Sequence, residues 1–497
     1  MFEEEPNQPK IAQKRIKFQQ ILEKGEEDEI SALPDSLLLE ILSRLPSTKH
    51  AIRTGTLSKR WAHLWTFVPT LIFTPLDLSH GHRRRNSYSR YDFALLVDKT
   101  LTQCRQSKLK KFEVYIYYDI QFESHYNNWI QRAISCNVEE LKLDFLYTGN
   151  EAEFRLDQFP FINSCFTDLR LVGCKVNPSG AISWKNLKSL CISHMNLDED
   201  MIVNILSGCP LLETLMLQGW FGYIGPYITL DDESEDDIIQ MNASNSLSLT
   251  QCPQVNLKKF KVLSELDITF ESQLNSWIRY AIRCNVQKIS LRFWNAVFGS
   301  DFMLDQTFFT SSCFTKLKLN GCMVNPVGAI SWKNLRSLSI SYWSLNEVLI
   351  ENILSGSPVL ETLVLDNCYG YRNLHITSKS VKNLVLSRYQ NYYAESEADI
   401  VEINAPNILS LTIKDDLVLQ KLLLVNVSSL VKANLNYKCS KIVQRTPTEV
   451  EEEMLKGFIM NLGHVKELKI GILCSKVLSC LQAKGFIFPS NLIPEAI

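Results

Sequence analysis

No stretch of this 497-residue chain is apolar for long enough to cross a bilayer. The strongest candidate, LVLQKLLLVNVSSLV, is broken by Lys421 and Asn426. The opening, MFEEEPNQPK, lacks the basic start and apolar run of a secretory signal. None of the fourteen cysteines stands in a C-x-x-C pair, which argues against a zinc ribbon or a thioredoxin-like site. Scattered cysteines suit buried free thiols in the cytoplasm, the nucleus or both, rather than a disulfide framework. An excess of one charge is also missing. The net charge is −2, so no global pull toward nucleic acid or acidic membrane follows. Familiar catalytic signatures are absent: there is no G-x-S-x-G, Walker A, H-E-x-x-H or G-x-G-x-x-G. The eight histidines are isolated, and His80 and His82 before Arg83, Arg84 and Arg85 read as a solvated loop. No catalytic residue, metal or cofactor is expected.

What the chain does have is internal repetition. FESHYNNWIQRAISCNVEELKL recurs as FESQLNSWIRYAIRCNVQKISL. SCFTDLRLVGCKVNPSGAISWKNLKSL recurs as SCFTKLKLNGCMVNPVGAISWKNLRSL, and NILSGCPLLETLML as NILSGSPVLETLVL. Trp129 maps to Trp277, Trp184 to Trp332 and Pro210 to Pro358, each 148 positions on. The copies cover about 122–217 and 270–365, without a gap, as a tandem duplication.

A shorter period runs inside each copy. An L-x-L pair stands at Leu141/Leu143, Leu169/Leu171, Leu190/Ile192 and Leu215/Leu217, at intervals of 28, 21 and 25 residues. Such intervals fit leucine-rich repeats of ~20–29 residues. The copy carries Ile289/Leu291, Leu317/Leu319, Leu338/Ile340 and Leu363/Leu365, with later members at Leu384/Leu386, Leu411/Ile413 and Leu468/Ile470. Residues two apart in a strand face one side. Each pair therefore points into a core, and the residue between them onto an open face. Gly173-Cys174, Gly321-Cys322 and Cys368 follow the pairs, where the chain turns, and these cysteines read as structural. Ile202, Ile205 and Leu206 form a helical stripe, stopped by Gly208 as a C-terminal cap and by Pro210. The expected fold is α/β: a solenoid with a curved parallel sheet and helices on its outer face. The acidic run DDESEDD from Asp231 predicts a loop at about 230–240.

Residues 1–28 read as a mobile tail. From Ile30 to Phe73 the chain is ISALPDSLLLEILSRLPSTKHAIRTGTLSKRWAHLWTFVPTLIF. Pro34 and Asp35 open a helix, with Leu37, Leu38, Ile41, Leu42 and Leu45 on its apolar face. Leu57, Trp61, Leu64 and Trp65 mark a second helical stretch. A unit this short buries little surface of its own, so its excess apolar surface must meet a partner or the repeats.

This segment resembles the F-box of plants, written D-x-I-S-x-L-P-D, L-L-x-x-I-L-S-x-L-P, then L-S-K-R-W-x-x-L-W. With repeats behind it, the chain from about Glu29 to Leu492 is similar to the plant F-box/leucine-rich-repeat family. Many relatives continue into a small domain called FBD, before which this chain stops. Gly55 stands where relatives often carry Ser or Cys. The resemblance divides the chain into an F-box at 29–73, a connector at 74–111 entering the solenoid, and the solenoid at 112–492. It implies the substrate-recognition subunit of an SCF-type cullin–RING ubiquitin ligase, itself not an enzyme. A Skp-type adaptor would meet Leu33, Pro34, Leu37, Ile41, Leu42, Leu45, Leu57, Trp61 and Trp65, and through it cullin and RING subunits. The repeats would bind a target protein, not nucleic acid or membrane. Two other readings stand beside it: a small-molecule-sensing F-box receptor, and a repeat scaffold with no ligase role. A polyanion-holding receptor needs several inward basic residues. Between the paired leucines stand only Lys142 and Arg170 in the first four positions and Lys318 in the second four. The open face differs between the copies, Cys191 becoming Ser339 and Met216 becoming Val364. Trp220, Tyr342 and Trp343, just past their strands, are the candidate target-binding anchors.

Overall fold

The computed structural model describes residues 30, 33–74, 87–146, 154–193, 199–218, 255–265, 271–294, 304–322, 326–390, 400–418, 421–438, 449–487 and 495–496. The tail at 1–28 and the acidic loop at 230–240 lie outside them. The fold divides into two compact units, Met1–Lys142 and Leu143–Ile497.

In the first unit, helix α1 (Asp35–Ser43) is followed by α2 (Thr48–Thr54) and α3 (Trp61–Leu64), which a 3-10 turn extends through Trp65–Phe67. Leu38, Leu42, Ala51, Trp61, Leu64, Trp65 and Val68 pack into one core, with Leu33, Leu39, Leu45 and Ile52 against it. The expectation of one helical stretch from Leu57 to Trp65 is corrected. Leu57 lies in the link between α2 and α3, held by a turn from Leu57 N–H to Thr54 O at 2.9 Å. The Thr48 hydroxyl then accepts from the amide of Ile72 at 2.7 Å, tying α2 to strand Thr70–Phe73. That strand pairs in parallel with Lys111–Tyr117, Leu71 opposite Phe112. The stretch expected to be a connector holds a 17-residue helix, Ser87–Gln103. Its buried Phe93, Val97 and Leu101 recur every fourth residue. Asp98 on this helix accepts from Trp129 Nε1 at 2.6 Å and bonds His125 Nδ1 at 3.0 Å, fixing helix Glu123–Ser135 beside it.

The second unit is built on parallel strands in chain order. Asp168–Val172, Ser189–Ser193, Thr214–Gln218, Lys259–Glu265, Lys288–Trp294, Lys316–Asn320, Ser337–Ser341, Thr362–Asp366, Asn383–Gln390, Ser410–Val418, Lys432–Lys438 and Glu467–Ile470 each pair with the next. The register places like on like. Leu169, Leu190, Leu215, Phe260, Ile289, Leu317, Leu338 and Leu363 form one buried row, and Leu171, Ile192, Leu217, Val262, Leu291, Leu319, Ile340 and Leu365 a second. Thr214–Gln218 pairs with Lys259–Glu265, which carries the sheet from one duplicated block into the other.

The outer layer differs in part from the expected helices. Helices Glu199–Gly208, Glu271–Arg283 and Glu347–Gly356 fill it first. Then Asn373–His375, Ile400–Asn404 and Lys421–Asn426 form a second parallel sheet of their own. Helix Glu449–Asn461 follows. The reason is periodicity: Val401 and Ile403, then Leu422 and Leu424, are buried two apart, which a strand satisfies and a helix does not.

The duplication extends to individual hydrogen bonds. Trp184 Nε1 donates to Pro160 O at 2.7 Å, and Trp332 Nε1 to Phe308 O at 2.9 Å. Asn204 and Asn352 accept from the amides of Ile182 and Ile330 at 2.9 and 3.0 Å. Gly208 and Gly356 end their helices without a left-handed backbone, so the expected cap role is corrected. The glycines are there for close approach: a Cβ would lie 2.4 Å from Ile182 O at Gly208 and 2.3 Å from Ile330 O at Gly356. Gly173 and Gly321 do turn the chain, at φ 66° and 68°. Cys174, Cys322 and Cys368 behind these turns are buried, and burial pushes the thiols of Cys322 and Cys368 up to about 12.

Helix propensity alone would make Gly356→Ala stabilising by roughly 1 kcal/mol. The contact with Ile330 O reverses that sign, and a loss of about 1–3 kcal/mol is expected in chemical denaturation; a more stable variant would contradict the packing. Cys322 and Cys368 should resist iodoacetamide at pH 8 in the native protein and label once it is unfolded. Native labelling would show that these turns are open.

Candidate interaction surfaces

The first surface lies on the helices of the first unit. Leu37 and Ile41, one turn apart on α1, are 50% and 43% exposed, and Leu57 is 68% exposed. Pro34 is exposed beside them, while Leu33 and Leu45 are half-buried. The remaining candidates turn the other way. Leu42, Trp61 and Trp65 belong to the unit's own core. Their inclusion among adaptor contacts is corrected: side chains already packed against Leu38 and Val68 have no surface to offer. Adjacent stripes of α1 thus divide the work, Leu38 and Leu42 holding the fold, Leu37 and Ile41 facing out.

Arg60 shapes the edge of this surface, and the sequence reading missed it. Its Nε donates to Asp35 Oδ1 at 2.9 Å, and its Nη2 to the carbonyl of Leu33 at 2.7 Å. Asp35 therefore receives a guanidinium as well as complementing the helix dipole. The contact fixes the Leu33-Pro34 turn to the start of α3. Both side chains are exposed, so the ion pair contributes little stability, at most ~1 kcal/mol. Its role is placement.

The second surface is the open face of the strands in the second unit. In the first block the middle of this face is apolar. Cys191 and Met216, expected to be exposed between their leucines, are buried with Leu263 in a small cluster. Arg170 beside them is held by Asp144, Nε to Oδ1 at 2.9 Å. The second block differs. Ser290, Lys318, Ser339 and Val364 stand in cross-strand register, and Arg292, Asn320, Ser341, Asp366 and Ser387 form a parallel row two residues on. Together they floor a cavity of about 430 Å³. The expectation of too few basic residues counted only the first row. The second row and the strand ends add Arg292, Arg388 and Lys414 to Lys318 in the lining.

The rim of this cavity is conformationally unusual. The residue after each strand, or just inside its end, is left-handed: Gly321 at φ 68°, Tyr342 at 62°, Asn367 at 50°, Arg388 at 47° and Asp415 at 66°. Gly and Asn accept that backbone readily, whereas Tyr and Arg bear ~1–2 kcal/mol each. Strain of this kind collects at functional sites. The two strained residues also touch. Arg388 Nη1 donates to the Tyr342 hydroxyl at 3.2 Å, with the guanidinium carbon 5.6 Å from the ring centroid. Asp366 grips the same guanidinium, Nε to Oδ1 at 2.9 Å and Nη2 to Oδ2 at 2.5 Å, which raises the pKa of Arg388 further.

Of the three anchor candidates, Tyr342 is on this rim and 43% exposed. Trp343 is 4% exposed, so its proposed role as a surface anchor is corrected: the ring fills the interior behind the turn. Trp220 lies outside the described residues. Among the described residues, no group of three or more His, Cys, Asp or Glu is placed to hold a metal ion. No described helix is long and apolar enough to cross a membrane.

The repeat profile described as FBD-associated F-box protein At5g56370, LRR repeats, matches residues 274–437. The LRR domain profile At1g61320/AtMIF1 matches residues 100–219. F-box/LRR-repeat protein 25 of Arabidopsis thaliana is 34% identical over 202 residues, covering 41% of this chain and 72% of that protein. F-box protein At5g03100 of the same plant is 36% identical over 195 residues, covering 39% and 57%. F-box/LRR-repeat protein At3g03360, also from Arabidopsis thaliana, is 36% identical over 202 residues, covering 38% of each. For most relatives the chain spans between 37% and 57% of their length. Helical F-box, tandem leucine-rich repeats and these relatives together make the chain a member of the plant F-box/leucine-rich-repeat family.

Proposed function

We propose that this protein is the substrate-recognition subunit of an SCF-type cullin–RING ubiquitin ligase. The F-box binds a Skp-type adaptor, and through it cullin and RING subunits, while the repeats bind a target protein. The observation that carries this reading is the apolar set Leu37, Ile41 and Leu57, exposed on a helical unit whose core is already complete. Exposed leucines at helical spacing are what a partner helix buries.

The chain does no chemistry in this role. It holds a target lysine near a ubiquitin-charged conjugating enzyme, so that an encounter in solution becomes a nearly intramolecular transfer. The compartment would be the cytoplasm, the nucleus or both, in keeping with the free thiols among the described cysteines. A small-molecule-sensing role is less well supported, because Leu291, Leu319 and Val364 are the cavity's apolar lining, too little for an apolar ligand to bury against.

The division of α1 into two faces gives the test. Leu37→Ala with Ile41→Ala should abolish co-purification of a Skp-type adaptor, each truncation removing about 2 kcal/mol of binding, without lowering the melting temperature. Leu38→Ala should instead destabilise the F-box by about 2–5 kcal/mol. Undiminished adaptor binding by the double variant would leave the repeat-scaffold reading in possession.

A further inference from the structure

The charged groups of the strand-face cavity in the second block already have partners. Asp366 takes both arms of the Arg388 guanidinium. Asp415 accepts from the Ser387 hydroxyl at 2.7 Å and lies 3.7 Å from Lys414 Nζ. Arg292 and Lys318 have interactions of their own. An ionic ligand would have to compete with these partners, and a neutral one would not. What the cavity leaves open is neutral. Ser341 lines it and is 8% exposed, yet its hydroxyl has no hydrogen-bond partner among the described residues. A buried polar group in that state calls for a partner from outside the fold. Asn320 and Asp366 flank Ser341 in cross-strand register. The side chains of Asn320 and Ser339, half-buried in the same lining, are unpartnered among the described residues too. A carboxylate offers about four acceptor sites, and Asp366 gives one on each oxygen to Arg388.

From this geometry we infer that the cavity binds a neutral sugar ring, carried by a glycosylated target or free in solution. A hydroxyl donates and accepts at one atom, which suits a floor where the Asn320 amide, the Ser341 hydroxyl and the Asp366 carboxylate stand side by side. Neighbouring strands are ~4.8 Å apart, the step between equatorial hydroxyls on alternate carbons of a hexose. Tyr342 on the rim is 43% exposed, an aromatic surface for the C–H face of such a ring. Its left-handed backbone and its contact with Arg388 hold it in place before anything binds. The volume, about 430 Å³, is that of a small-ligand site. The first block lacks the floor. It has Val172 for Asn320 and Cys191 for Ser339, and Cys191 packs with Met216 and Leu263. The inference goes beyond the ligase reading and does not depend on an adaptor.

The test uses the full chain and saturation-transfer NMR with glucose, galactose, mannose and N-acetylglucosamine in turn. At least one should receive saturation from the protein. Its affinity should fall roughly three- to tenfold in Asn320→Val and again in Ser339→Cys, each of which removes one hydrogen bond to the ligand. Both variants place the first block's residue in the second, so the melting temperature should not change. Serine peptides O-linked to the same sugars separate the two sources: tighter binding of the glycopeptide assigns the sugar to a target, and tighter binding of the free sugar assigns it to solution. Saturation of none of the four sugars, unchanged affinity in both variants, or tighter binding of glucose 6-phosphate than of glucose would each overturn the assignment. Adaptor co-purification judges the ligase reading separately.

Discussion

Everything in the second unit depends on one constraint, the register between neighbouring parallel strands. A shift of one residue would turn every side chain to the opposite face. The paired apolar residues forbid it. Leu169, Leu190 and Leu215 in one row, and Leu171, Ile192 and Leu217 in the next, are buried only if each strand lines up with its neighbour. Once the rows are fixed, the residue between them has one place to go, and the two polar rows of the second block follow. The cavity is thus a consequence of core packing, lined by positions the core does not use.

The same logic separates fold from function within the F-box. Neighbouring residues on α1 go to different fates: Leu38 and Leu42 are buried, while Leu37 and Ile41 face out. Composition does not distinguish them, since all are large and apolar. What distinguishes them is helix phase relative to Trp61 and Trp65, which fill the core from the other side. A partner binding here would meet surface whose loss the unit tolerates, and the residues that hold the unit together remain inside.

Much of this was legible in the sequence because repetition multiplies a weak signal. An L-x-L pair is common by itself, but a series that returns after 148 residues is not. Members that departed from the pattern escaped notice. Strand Lys259–Glu265 uses Phe260 and Val262, and Lys432–Lys438 uses Ala433 and Leu435. Helix Ser87–Gln103 escaped because its stripe of Phe93, Val97 and Leu101 is narrow among polar residues. The outer sheet was missed because helices in earlier repeats set the expectation. Buried Cys191 and Met216 were misread since alternation says which way a residue points, not whether something covers it. The cavity could not be read at all: its second row and its left-handed rim come from backbone geometry after the strand, where Tyr342 and Arg388 carry no marker of the strain that Gly or Asn would have announced.

The central claim is that the exposed apolar face of α1 meets the adaptor while the polar strand face stays available for something else. Hydrogen–deuterium exchange of the full chain with and without a Skp-type adaptor tests it most directly. The account predicts adaptor-induced protection in peptides covering Leu33 to Arg60 and unchanged exchange in those covering Ser337 to Asp366. Protection of the strand peptides with none over Leu33 to Arg60 would contradict it.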